Sequence, residues 1–107
     1  MISLADFQKV EIRIGRVKSA EKVEGADRLI KFIFDIGGED RQIISGIAES
    51  YPDLSSLVGK EVPVIVNLEP RTIKGFESQG MVLAADAEGV PVLLYPERDV
   101  PTGSVVK

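Results

Sequence analysis

The sequence predicts an all-β protein built as a small barrel, and three observations carry that reading. Apolar residues alternate with polar ones over several short stretches, the period-2 pattern of half-buried strands. Glycine- and aspartate-rich punctuation separates those stretches at hairpin spacing. The best helix-like piece beyond the N-terminus, residues 47–58, is limited to short turns by Pro52 and ended by Gly59.

Taken in order, Ser3 and Asp6 read as the start of a short helix, a hydroxyl cap followed by a carboxylate in the first turn. Residues 10–23, VEIRIGRVKSAEKV, form a long first strand with Val10, Ile12 and Ile14 on one face. Val17 is out of phase with Ile14, so Gly15 is expected to mark a bulge that bends the strand, as a small closed barrel requires. Ile30, Phe32, Phe34 and Ile36 alternate along a second strand. Gly37–Asp40 turns the chain, and Arg41–Ser45 returns it. The fourth strand carries Val62, Val64 and Val66 on one face, and Pro63 suggests an edge or irregular position. A loop leads to a strand at Met81–Ala85. A turn at Asp86–Gly89, the strand VPVLLY and a tail ending in Val105-Val106 follow. Three strands, a short helical connector and two strands match the OB-fold, a five-stranded Greek-key barrel. A different small barrel or a sandwich is the competing arrangement.

The chain has 107 residues, enough for one domain with a single core, and 1–107 is read as one unit. No apolar run approaches the ~20 residues that span a bilayer. The start lacks the basic-then-apolar order of a secretory signal, so a cytoplasmic location is expected. The chain has no Cys and no His, which excludes disulfides, thiolate nucleophiles, Cys/His zinc sites and imidazole catalysis. Lys74 and Ser78 are the nearest approach to a base–nucleophile pair. Such a lysine must be desolvated, and a loop of Gly, Glu and Gln offers little burial. Gly37-Gly38 lacks the helix and lysine of a phosphate loop, and the carboxylates show no metal-ligand spacing. No enzyme, metal or cofactor is expected.

Net charge is −4, from 13 bases and 17 acids. Bulk charge alone disfavours nucleic acid. Residues 1–36, however, carry seven bases against six acids, and exposed charges act only over about 8 Å at physiological salt. OB barrels bind oligonucleotides across one face, using cations for phosphate and polar or flat groups for ribose and bases. The candidates are Arg28 and Lys31 near the second strand and Arg41 and Ser45 on the third. Asn67, Arg71, Lys74, Ser78 and Met81 stand around the long loop. The four Phe and two Tyr are expected in the core, which favours recognition of a folded RNA's shape and backbone over base stacking.

The segments DFQKVEIRIGRVKSAEKVEGADRL, RQIISGIAESY, LVGKEVPVIVNLEPRTIKGFESQGMVLAA and VPTGSVVK together closely resemble the tRNA-binding domain family, over nearly the whole chain. That family includes free-standing tRNA-binding proteins, the C-terminal domain of many methionyl-tRNA synthetases and a bacterial chaperone-like protein. The resemblance implies an OB-fold that binds tRNA by shape near the outer corner of the L. It places Ser45, Asn67, Arg71, Ser78 and Met81 on the RNA-binding face. Relatives often carry Lys where this chain has Glu69 and Thr72, so this face is less basic, with Lys74 positioned to compensate. The resemblance also implies a two-fold homodimer through residues 86–107, helped by the N-terminal segment, because Val90, Val92, Leu93, Leu94 and Val100 need burial. A methionyl-tRNA synthetase catalytic domain, fused or separate, is the implied second partner. Binding of unfolded polypeptide is the alternative function.

Overall fold

The computed structural model describes the whole chain, Met1–Lys107. Ser3 caps the single helical turn α1 (Leu4–Phe7), its Oγ accepting the Asp6 N–H at 3.0 Å. Strands β1 (Ile12–Val23), β2 (Ala26–Asp35) and β3 (Asp40–Ser45) follow as an antiparallel meander. Pro52 splits the next segment into two 3₁₀ turns, Ala48–Ser50 and Leu54–Leu57. Then come β4 (Glu61–Ile65), β5 (Arg71–Ile73), β6 (Phe76–Ser78), β7 (Met81–Val82), β8 (Ala84–Ala87), β9 (Val90–Leu93) and β10 (Val105–Val106). The stretch expected as one strand at Met81–Ala85 is therefore two. Its first part pairs with β4 and its second opens the β8–β9 hairpin.

The principal sheet runs β3-β2-β1-β4-β7. β1 changes partners along its length: Ile12–Arg16 pairs with β4, and Arg16–Val23 pairs with β2. The barrel closes where β3 meets β6 and β7, and side chains make much of that seam. Ser78 Oγ accepts the Ile44 N–H at 3.0 Å, and Gln79 Oε1 accepts the Gln42 N–H at 3.1 Å. The Gln79 N–H donates to the Gln42 carbonyl at 2.7 Å. The result is the all-β OB-type barrel that the strand order predicts.

The inward set is the expected one: Ile30, Phe32, Phe34 and Ile36 from β2 and its end meet Val62, Val64 and Val66. The Phe32 and Phe34 rings lie 5.1 Å apart, a tilted aromatic pair. Leu93 of β9 adds an apolar plug, held by its N–H donating to the Tyr51 hydroxyl at 2.9 Å.

Two local expectations fail for physical reasons. Gly15 is not a bulge; it pairs in register with Val62, and the register shift falls at Lys18, between Val17 and Ser19. A Cβ at 15 would lie 3.0 Å from both Phe34 Cδ1 and Ile36 Cδ1, so a larger residue there would have to displace core side chains. The change of phase arises because both faces of β1 are covered, one by the barrel core and the other by the C-terminal tail. The Ile14 N–H donates to Ser104 O and its carbonyl accepts the Gly103 N–H. Pro63 likewise lies on an inner strand, not an edge, and every residue of β4 is buried. It is tolerated because its partner Ile14 spends its backbone groups on the tail, so this pair exchanges no ladder bonds.

Candidate nucleic-acid interface

Period-2 geometry divides the two consecutive isoleucines of β3. Ile43 pairs with Phe32 and enters the core, so Ile44, paired with Lys31, stands on the outer face. Over that outer face folds the β5–β6 hairpin, joined by a two-residue turn with Lys74 at φ 51° and Gly75 at φ 82°. Both residues are left-handed, the conformation of the tight turn that matches strand twist. The hairpin and the β4–β5 connection enclose a groove of ≈ 430 Å³ against β3 and β7. Ile44, Leu68, Ile73 and Met81 supply its apolar lining; Glu69, Pro70, Arg71, Ser78 and Gly80 supply the rest. Gly80 is required there, since a Cβ would lie 2.6 Å from the Ile65 carbonyl oxygen.

The structure brings Arg71, Ser78 and Met81 together around this groove and gives the other candidates different positions. Arg71 and Lys74 are exposed and make no ion pair, so their charge is available to a ligand. Ser78 is buried, and its hydroxyl is committed, accepting from Ile44 N–H and donating to Gly80 O. Lys31 sits beside the groove, bridged to Glu21 at 3.4 Å and 4.9 Å above the Phe76 ring. Arg41 is tied into the end of the barrel, donating to Val66 O at 2.7 Å and pairing with Glu39 at 3.2 Å. Asn67 clamps the N-terminal segment. Its Oδ1 accepts the Glu11 N–H and its Nδ2 donates to the Lys9 carbonyl, so both ends of the amide are engaged. Arg28 pairs with Glu49 at 3.2 Å and lines a separate depression with Gly46 and Pro91. Ser45 lies opposite Ile30 and does not line the groove.

Sequence reading missed Ile44, Leu68, Pro70 and Ile73 as groove residues. The doubled isoleucine at 43–44 and the K-G turn between Ile73 and Phe76 were the signals available. The aromatic residues are not all in the core either. Only Phe32 and Phe34 of the phenylalanines are buried, while Phe7 and Tyr95 are exposed and Phe76 lies half-buried under Lys31.

A compact OB-type barrel with an apolar groove and two free cations on its outer face defines the class: a small ligand-binding β-barrel suited to an anionic polymer. Comparison with known proteins narrows this. The family model described as "Putative tRNA binding domain" matches residues 12–105, and the chain belongs to that family. It is 55% identical to the methionine–tRNA ligase of Archaeoglobus fulgidus over 105 residues, and 51% identical to that of Streptococcus pneumoniae over 107. Each match covers 98% of this chain and 16% of the relative's length. The shared stretch is the appended tRNA-binding domain of those enzymes and not their catalytic part. Among solved structures, a MetRS-related protein from Pyrococcus horikoshii superposes with TM-score 0.94 at 38% identity, covering 100% of this chain and 98% of that one. The chaperone CsaA of Bacillus anthracis superposes with TM-score 0.91 at 30% identity, covering 100% and 99%.

Proposed function

We propose that residues 1–107 form one non-catalytic module that binds tRNA by shape and backbone, in the cytoplasm. It acts either in trans or as the appended domain of a methionyl-tRNA synthetase. The observation that carries this reading is the pairing of two unneutralised cations, Arg71 and Lys74, with an adjacent groove on the face where OB barrels take oligonucleotides. Family membership and the synthetase relatives support it. The module's effect on a synthetase would be to raise the local concentration of tRNA at a separate catalytic site.

The module also forms a two-fold homodimer through residues 86–107 and the N-terminal segment. Val90, Val92, Leu94, Tyr95, Val105 and Val106 leave much apolar surface exposed, with Leu4 and Phe7 on the N-terminal side. Leu93 needs no partner, since it plugs the core; Val100 is half-buried, its N–H donating to Glu61 Oε1.

Titration of fluorescently labelled tRNA between about 50 mM and about 200 mM salt tests the function. Binding weakens steeply with salt as counterions are released. Arg71→Ala weakens binding to all tRNAs alike and flattens the salt slope by about one unit. Binding that ignores salt would sink the tRNA reading and favour the second one, capture of unfolded polypeptide. That second reading draws on the resemblance to the CsaA chaperone and on an apolar groove of ≈ 450 Å³ lined by Ile14, Pro63, Leu94 and Tyr95.

A further inference from the structure

Glu69 is out of place on a face that binds a polyanion. It lines the ≈ 430 Å³ groove beside Arg71, and its carboxylate makes neither a hydrogen bond nor an ion pair within the chain. An exposed carboxylate at such a position repels phosphate, so it needs a different employment or it simply weakens binding. The groove beneath it is the right size to seat a small planar group, since small-ligand sites run from about 300 to 1,000 Å³. Its apolar sides, from Ile44, Leu68, Ile73 and Met81, suit the faces of a ring. Met81 adds a polarisable thioether to that lining.

We propose that this groove takes one unstacked nucleobase of the bound RNA, and that Glu69 makes guanine the preferred one. This rests on the tRNA reading above and adds base discrimination to it. The reason lies in hydrogen-bond complementarity. A carboxylate offers two acceptor oxygens and no donor. Guanine alone presents two adjacent donors on its Watson–Crick edge, N1–H and the N2 amino group. Adenine and cytosine each set a ring-nitrogen acceptor beside their one amino donor, and uracil sets two carbonyls around its single N–H. Each of the three would bring an acceptor against the carboxylate. Single-stranded loops are where RNA exposes such edges. Arg71, at the same groove, is placed to take the flanking phosphate or the guanine O6, so that one acid and one base frame a single nucleotide.

The experiment uses four fluorescein-labelled pentaribonucleotides, UUGUU, UUAUU, UUCUU and UUUUU, titrated at low salt alongside whole tRNA. The intact chain is expected to bind UUGUU about tenfold or more tightly than the others, within the discrimination of a good bidentate contact. Glu69→Gln, with one acceptor replaced by a donor, is expected to reduce that preference below about threefold. Methyl NMR of the intact chain is expected to show UUGUU shifting Ile44 and Met81. Equal binding of the four pentamers, or a guanine preference that survives Glu69→Gln, overturns the base assignment while salt-dependent tRNA binding leaves the functional reading standing. A UUGUU response at Val92 and Val105 instead of Ile44 and Met81 overturns the location. Absence of any salt-dependent tRNA binding overturns both.

Discussion

Ser78 lines the groove, yet its hydroxyl is spent on the barrel itself. Its hydroxyl bridges β3 to the turn after β6, satisfying the buried Ile44 N–H at the seam of the barrel. Ser78→Ala leaves that N–H without a partner, a loss of about 1–3 kcal/mol. Urea unfolding is expected to show that destabilisation, with tRNA affinity nearly unchanged when measured well below the transition. A large affinity loss in a stably folded variant would instead place Ser78 against the ligand. Asn67 is a parallel case: its motif is legible in the sequence, yet its amide holds Lys9 and Glu11 in place. A motif records that a residue type is needed at a position. It does not distinguish a contact made with a ligand from one made with the chain itself.

At the scale of elements, the inward faces of β2 and β4 were readable directly, because strict alternation admits one burial pattern. β1 was not, since its two halves answer to different neighbours. Ile12 and Ile14 are covered by β10 and the tail, while Gly15 and Val17 face the barrel. Only knowledge of where residues 100–106 return could explain the slip of phase at Gly15. The bulge that does occur, at Lys18, is fastened from outside by the Lys18 ammonium reaching Asp40 at 2.8 Å. That hydrogen bond, with the attraction of the same carboxylate, raises the Lys18 pKa from its ordinary 10.5. Partial desolvation of a ring still about half exposed, and to a lesser degree Tyr51, raises that of Tyr95 from 10.0. Both groups hold their protons more tightly folded than unfolded. Their contribution to stability is therefore complete below about pH 10 and is lost as the pH rises through the folded values. Thermal melts from about pH 9 to about pH 11 are expected to fall, and to fall less steeply in a Lys18→Met, Tyr95→Phe double variant. Because both side chains are about half exposed, solvent screening keeps both parts small.

For the whole molecule, free cations and exposed apolar side chains fall on different surfaces. Eight of the 13 basic residues are bound in ion pairs, leaving Lys22, Lys60, Arg71, Lys74 and Lys107 free. Around the groove the free Arg71 and Lys74 stand among the unpaired Glu69 and Glu77, so its rim carries both signs within a chain of net charge −4. The apolar surface is gathered elsewhere, on the β8–β9 hairpin, the tail and α1, where Val90 and Val105 are each more than half exposed. Exposed apolar side chains in this number are what the proposed dimer would cover. Sedimentation equilibrium at micromolar concentration is expected to give twice the 11.6 kDa chain mass. Val92→Glu with Val105→Glu is expected to give a folded monomer that still binds tRNA, since neither residue lines the groove. A monomeric wild type would remove the dimer from the functional reading.

Sequence by itself determined the fold class, the first four strands and the greater part of the core, because alternation and turn residues are local properties of the chain; the β5–β6 hairpin and the division of Met81–Ala85 between β7 and β8 were not legible in it. It also named the segment that carries the groove, through motifs whose spacing identifies the family. Tertiary structure decided which cations are free, which polar side chains serve the barrel, and that Ile44 and Glu69 share a groove with Arg71. Those outcomes depend on strand register and on which distant segment lies opposite, and such pairings are set by the packed chain as a whole.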